Sequence, residues 1–391
     1  MLAALALTGL ACSNRPHRFP AVPKLVSFPK LAHLAPLAYS PHYGIFRDLE
    51  AKPWGEGKVL SAYWRKDFGY ESELKSLTFS PHGPLVLEFT KESGVMLHRF
   101  DAAGVTVSSM GLRVQDISAL RGAKDRIAAL SAGEAVILGL MGEPAIPLAA
   151  DIDRLAAGDL DGDGQDEVIV RSWRENSISA FSADGKRLWS KGGFHSVSAV
   201  AAGRLEEGRS GVLVAGMGAD FKSSALTGIT AAGKVFLSTP LAWSEAAFAH
   251  LADLGEGPRL VTVGHVYPND RQILKVSRLG KRGLEPAWQV DLGWTSVSAL
   301  VSADLDSDGR REILVGTKNG WILAFSAGGR ALAEKNILGE ITAMDEGAWH
   351  GEGGRKVLVA VKGIPPMIYS VGVIPDPGPW SATAPSSRRP R

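Results

Sequence analysis

Short apolar runs separated by polar turns recur along most of the chain. The stretch after Asp304 shows the unit: a run from Glu312 to Gly316, a turn at Lys318-Asn319-Gly320, a run from Trp321 to Phe325, and a turn at Ala327-Gly328-Gly329. Runs of this length bounded by Gly and Asn read as strands joined by tight turns.

The pattern repeats on a longer scale. Gly158 to Val170 returns as Ala303 to Val315, 145 residues further on, which is about three periods in the forties. Two degenerate copies lie between: Val200 to Arg204 followed by Gly211 to Val214, and Leu251 to Asp253 followed by Arg259 to Val263. With Asp159, Arg204, Asp253 and Asp304 equivalent, the steps are 45, 49 and 51 residues. A strand-rich period of this length predicts the blades of a β-propeller; a β-solenoid has a shorter repeat.

Seven blades are expected, at about 73–113, 114–152, 153–194, 195–244, 245–294, 295–339 and 340–372. The last ends one strand short, after Met367 to Val371. An orphan strand, Lys58 to Trp64, precedes the first. Pairing the two closes the ring and leaves no blade incomplete. The expected fold is therefore an all-β, seven-bladed propeller of four-stranded blades, closed by an N-terminal strand and spanning 57–372.

Composition agrees with this class. Hydrophobic residues make up 45% of the 391, and the 45 glycines suit a chain of many short turns. A formal charge of +2, from 43 basic and 41 acidic residues, gives no electrostatic footprint for nucleic acid. No uninterrupted apolar stretch is long enough to span a bilayer as a helix.

In the loop from Asp159, carboxylates fall at positions 1, 3, 5 and 9: Asp159, Asp161, Asp163 and Glu167. Gly164 permits a bend that lets the backbone carbonyl of Gln165 join them. Asp304, Asp306, Asp308 and Glu312 repeat the set, with the carbonyl of Arg310. Four crowded carboxylates call for a cation, and an all-oxygen set suits calcium over zinc. An EF-hand would need Glu at position 12 and a following helix. Val170 and Val315 stand there, and strands follow. The loops resemble the DxDxDGxxD/E loops of FG-GAP/VCBS repeats in integrin-like and bacterial cell-surface propellers, and that resemblance implies structural calcium between the first two strands of a blade. Arg311, where the first loop has Asp166, leaves the second loop less acidic.

Ten residues before Arg204, Asp253 and Asp304 stand Phe194, Trp243 and Trp294. They fall where one blade's outer strand passes to the next blade's inner strand, on the face opposite the acidic loops. Two roles are open to them: packing between blades, or an arc beside the channel that stacks on sugars or anchors a peptide. Trp189 and Trp288 resemble the blade-docking tryptophans of quinoprotein-type propellers, a similarity shared with outer-membrane assembly lipoproteins. His195, His250, His265 and His350 occupy unequal places in their blades and form no expected centre.

The single cysteine, Cys12, follows the apolar, small-residue stretch Met1 to Ala11. This resembles a bacterial lipoprotein signal, with Cys12 as the lipidated residue, and implies export to the periplasm, outer membrane or cell surface. Residues 13–56 read as a proline-rich spacer and 373–391 as a disordered tail. The function expected is a noncatalytic, calcium-binding module for a protein or glycan partner at the cell envelope. The rivals are a calcium-dependent polysaccharide lyase and an envelope-assembly scaffold.

Overall fold

The computed structural model describes residues 58–375 except 81, 102–103, 124, 206–209, 218–223, 242–245, 256, 267–270, 281–282, 338 and 349–354. Contacts divide the chain into Met1–Leu34 and Ala35–Arg391, and all described residues belong to the second unit.

The strands form seven antiparallel four-stranded sheets. In six of them the strands follow one another in sequence order, giving blades at 72–112, 116–149, 152–192, 196–241, 248–293 and 297–336. The seventh takes its first three strands from 340–375 and its fourth from the N-terminal strand Lys58–Asp67. That strand pairs with Met367–Pro375 from Lys58↔Pro375 to Asp67↔Met367. The ring closes as the sequence leads one to expect.

First strands of neighbouring blades touch one another all the way round, including blade 7 to blade 1. They therefore surround the axis, and fourth strands form the rim. Second strands are sandwiched on both faces, and their sequences show it. Leu85-Val86-Leu87, Val168-Ile169-Val170, Ile313-Leu314-Val315 and Val357-Leu358-Val359 are continuous apolar runs, all buried. Fourth strands, facing water, read as mixed: Arg187–Gly192 is almost wholly exposed.

One repeated feature lies deeper than the acidic motif. The first strands of blades 1, 3, 4, 6 and 7 each carry a β-bulge, at Lys75, Asp153, Ser198, Ser298 and Thr342. A bulge disrupts the ladder locally. In three blades the bulged hydroxyl supplies a bond there: Ser198, Ser298 and Thr342 donate to the carbonyls of Ala215, Gly316 and Ala360 at 3.2, 3.4 and 3.3 Å.

Trp189 and Trp288 both pack against the next blade. Trp288, on the outer strand of blade 5, donates its Nε1–H to Ala327 O at 2.8 Å, in the turn between strands 3 and 4 of blade 6. A Cβ on Gly329 in that turn would lie 2.6 Å from the Trp288 ring. Trp189 packs on Gly233 of the next blade, where an added Cβ would lie 2.8 Å from its Cγ, but without the indole hydrogen bond among the described residues.

Candidate functional site

Antiparallel order places the loops between strands 1 and 2 on one face with those between strands 3 and 4. The remaining turns lie on the opposite face. Both acidic loops therefore share a face, at blades 3 and 6.

The two loops fold alike. Asp159 accepts from the amides of Gly162 and Gly164 at 2.6 and 3.1 Å; Asp304 accepts from Asp308 and Gly309, each at 3.1 Å. Asp163 and Asp308 accept from the amides of Gln165 and Arg310, both at 2.7 Å. Glu167 and Glu312, both buried, accept from the amides of Leu160 and Leu305 at 2.7 and 2.9 Å. The position taken by Gly162, at φ 86°, is held in the second loop by Ser307 at φ 62°.

These bonds gather the carboxylates. Oxygens of Asp159, Asp161 and Glu167 lie within 4.8 Å of one another, as do those of Asp304, Asp306 and Asp308. Burial, then the charges of Asp161, Asp163 and Asp159, push Glu167 up to about 7. Glu312 is pushed up to about 7 by burial and by Asp306, Asp308 and Asp304. This crowded, all-oxygen donor set fits a hard divalent cation, which would reverse the pressure towards protonation.

Asp166 and Arg311, the equivalent residues at which the two loops differ in charge, each reach a neighbouring blade. Asp166 is spent on blade 2: its Oδ2 accepts from Arg121 N and its own amide donates to Arg121 O, both at 2.9 Å. Arg311 instead reaches Ser302 O at 2.6 Å and pairs with Glu346 of blade 7. The residue that made the second loop look less acidic is an inter-blade clamp.

That clamp belongs to a belt around the channel which the sequence does not announce. His250 of blade 5 meets Ser302 of blade 6 at 2.9 Å. Arg311 carries the contact on to Glu346, and Asp345 of blade 7 accepts from Phe79 N of blade 1 at 2.9 Å. Blade 1 continues it: Ser76 donates to Asp116 at 2.8 Å, and Thr78 accepts from Ala119 N at 3.2 Å. Burial, with Arg311 and Arg121 nearby, lowers His250 to about 4. His250 is thus a neutral structural residue.

Burial separates the described members of the aromatic arc. Phe194 is only 8% exposed and packs in the core with Leu160, Ile169 and Val212, because its turn folds back through a bond from its amide to Asn176 O. Trp243 and Cys12 lie outside the described residues. Trp294 is 58% exposed. It shares its face with Trp173 and Tyr70, 53% and 75% exposed, and with Ile364 at 86%. Phe89, the other exposed aromatic among the described residues, sits beside a turn of that face. Trp173 occupies a turn between strands 2 and 3, so aligning the crossovers does not find it.

No family model matches the chain, and no curated protein matches it. Solved structures do, across the ring. The chain is similar to BBS1N in its crystal structure with ARL6DN, with 11% identity, TM-score 0.60, and coverage of 81% of this chain and 98% of that one. It is similar to BamB from Moraxella catarrhalis, with 11% identity, TM-score 0.50, and coverage of 80% and 100%. A third is the Dos1 propeller, with 10% identity, TM-score 0.53, and coverage of 80% and 95%. These chains share its propeller fold.

Proposed function

We propose that the chain is a noncatalytic binding ring, stiffened on one face by calcium and presenting the other to a protein partner. The observation that carries this reading is the segregation of exposed aromatics. Tyr70, Trp173 and Trp294 all lie opposite the acidic loops, whereas among the described residues the exposed large hydrophobic side chains in the turns of the acidic face are Val105 and Met141, neither of them aromatic. Exposed tryptophan and tyrosine are the side chains that anchor interfaces, and they cost free energy to leave in water.

On the acidic face, Asp159, Asp161, Asp163 and Glu167, with Asp304, Asp306, Asp308 and Glu312, would hold the ions. Calcium there supplies charge compensation and cross-links the two ends of each loop. Kinship with FG-GAP/VCBS repeats is part of this proposal and rests on those two loops. The polar groups nearest the channel support a noncatalytic role, since His250, Ser302, Arg311 and Glu346 are occupied with one another. The fold it shares with BBS1N, whose structure is a complex with ARL6DN, fits a protein partner. Export, with a lipid anchor at Cys12, completes the proposal.

The test is affinity capture from a cell-envelope extract on the immobilised full chain with calcium present. A partner should be retained by the wild type and lost from a Trp173→Ala/Trp294→Ala variant of unchanged melting temperature. Equal capture by that variant, or cleavage of a polysaccharide by the purified chain, would contradict the proposal.

A further inference from the structure

A propeller rim is a row of unpaired strand edges, and natural edges carry charges, prolines or extreme shortness that discourage pairing. Six of the seven outer strands here follow that rule. They hold Pro147, Arg187, Pro240, Pro286, Lys335 and Lys66 respectively.

The exception is Thr106–Leu112 in blade 1. Its sequence, TVSSMGL, has no charge and no proline, and Thr106 to Ser109 are all exposed. Among the described residues only the third strand, Gly94–Phe100, pairs with it. Its one protection is a bulge beside Phe100, which leaves Ser108 to Leu112 in regular register.

This bare edge runs into a cleft of about 570 Å³ at the aromatic face. Val95, Leu112 and Val114 give the cleft apolar walls, with Ser93, Arg113 and Gln115 at its polar side. Arg113 is the sole charged residue lining it, is exposed, and has no ion pair among the described residues. An uncharged edge ending at one arginine sets the chemistry of what fits: backbone for backbone along the strand, then a carboxylate.

We propose that this edge and cleft bind an extended segment of a partner protein, uncharged but for one carboxylate near its end, added as an outer strand to blade 1 with that carboxylate at Arg113. The inference rests on the reading of the ring as a protein-binding module and names where and what it binds. A second copy of the chain is a poor occupant. The rim curves away on both sides of a blade, so two rings edge to edge would meet along one short strand each, far below the roughly 800 Å² per partner of a stable interface.

The probe is a library of random peptides displayed on phage, selected on the full chain and counter-selected on a Val107→Lys/Ser109→Lys variant. Melting temperature and circular dichroism establish that the variant is folded. Selected peptides, made synthetically, should be uncharged except for an acidic group near one end. They should bind the wild type about tenfold or more tighter than the lysine variant. Arg113→Glu should weaken them comparably, and hydrogen exchange should slow at Thr106–Leu112. Three results would overturn the proposal: no peptide that discriminates the variant; peptides lost only on Trp173→Ala/Trp294→Ala, which leaves the binding-ring reading standing; or a wild-type dimer dispersed by the lysines.

Discussion

Asp345 accepts a 2.9 Å hydrogen bond from the backbone amide of Phe79, joining blade 7 to blade 1 across 266 residues of chain. Asp345 also accepts from the amide of Glu346. Its carboxyl is pushed above the ordinary aspartate range by burial, which those backbone bonds only partly oppose. The polar closure at the channel and the strand closure at the rim, where Lys58–Asp67 completes the sheet, thus fall on the two edges of the same blade.

Removing Asp345 should open this seam. Asp345→Ala strands the Phe79 amide, and an orphaned buried donor costs about 1–3 kcal/mol. Urea unfolding should show that loss, and a midpoint equal to the wild type would refute the seam's contribution.

His250 sets a pH dependence whose sign follows from its lowered pKa of about 4. The unfolded chain, with His near 6.5, binds the extra proton between these values. His250 thus contributes stability in full above about pH 6.5, and that stability is lost as pH falls towards 4. Arg311 and Arg121 face it and strengthen the effect. His250→Gln should flatten this window in melting curves measured from pH 7 to 4; a variant with the same acid slope as wild type would exclude His250 as its source.

Ser307 occupies the left-handed region that Gly162 fills in the other loop. A non-glycine residue there costs about 1–2 kcal/mol, of which glycine's unfolded-state entropy takes back roughly half. Ser307→Gly should stabilise the chain by about 0.5–1 kcal/mol. Chemical denaturation measures this, and a loss of stability would contradict the strain.

Gly329 has positive φ and lies under Trp288. Gly329→Ala combines backbone strain with a Cβ 2.6 Å from the indole, so about 2 kcal/mol should be lost and the Trp288 fluorescence should shift. An unchanged spectrum and stability would mean the blade 5 to 6 dock is not tight.

The ring was legible in the sequence because its signals are local and repeated. Leu160, Leu205, Leu254 and Leu305 are all buried after the equivalent positions Asp159, Arg204, Asp253 and Asp304, so the scaffold persists where the acidic loop has decayed. Asp253 keeps even the loop's bonding, accepting from Gly255 and Gly257. The belt was not legible, because His250 and Ser302 stand 52 residues apart and the partner of Asp345 is a backbone amide. Phe194 and Trp294 share an aligned position, yet one is core and the other surface. Only the fold of each turn decides that. Ser198, Ser298 and Thr342 were visible as residues, but their purpose appears only with the bulges they cap.

Calcium titration by calorimetry on the chelator-treated chain tests the central claim most directly. The account predicts two sites. Each should be lost separately, in Asp161→Asn and in Asp306→Asn, and the melting temperature should rise with calcium by mass action, equivalent to about 2.7 kcal/mol per site at a hundredfold excess over Kd. No heat of binding and an unchanged melting temperature would contradict it.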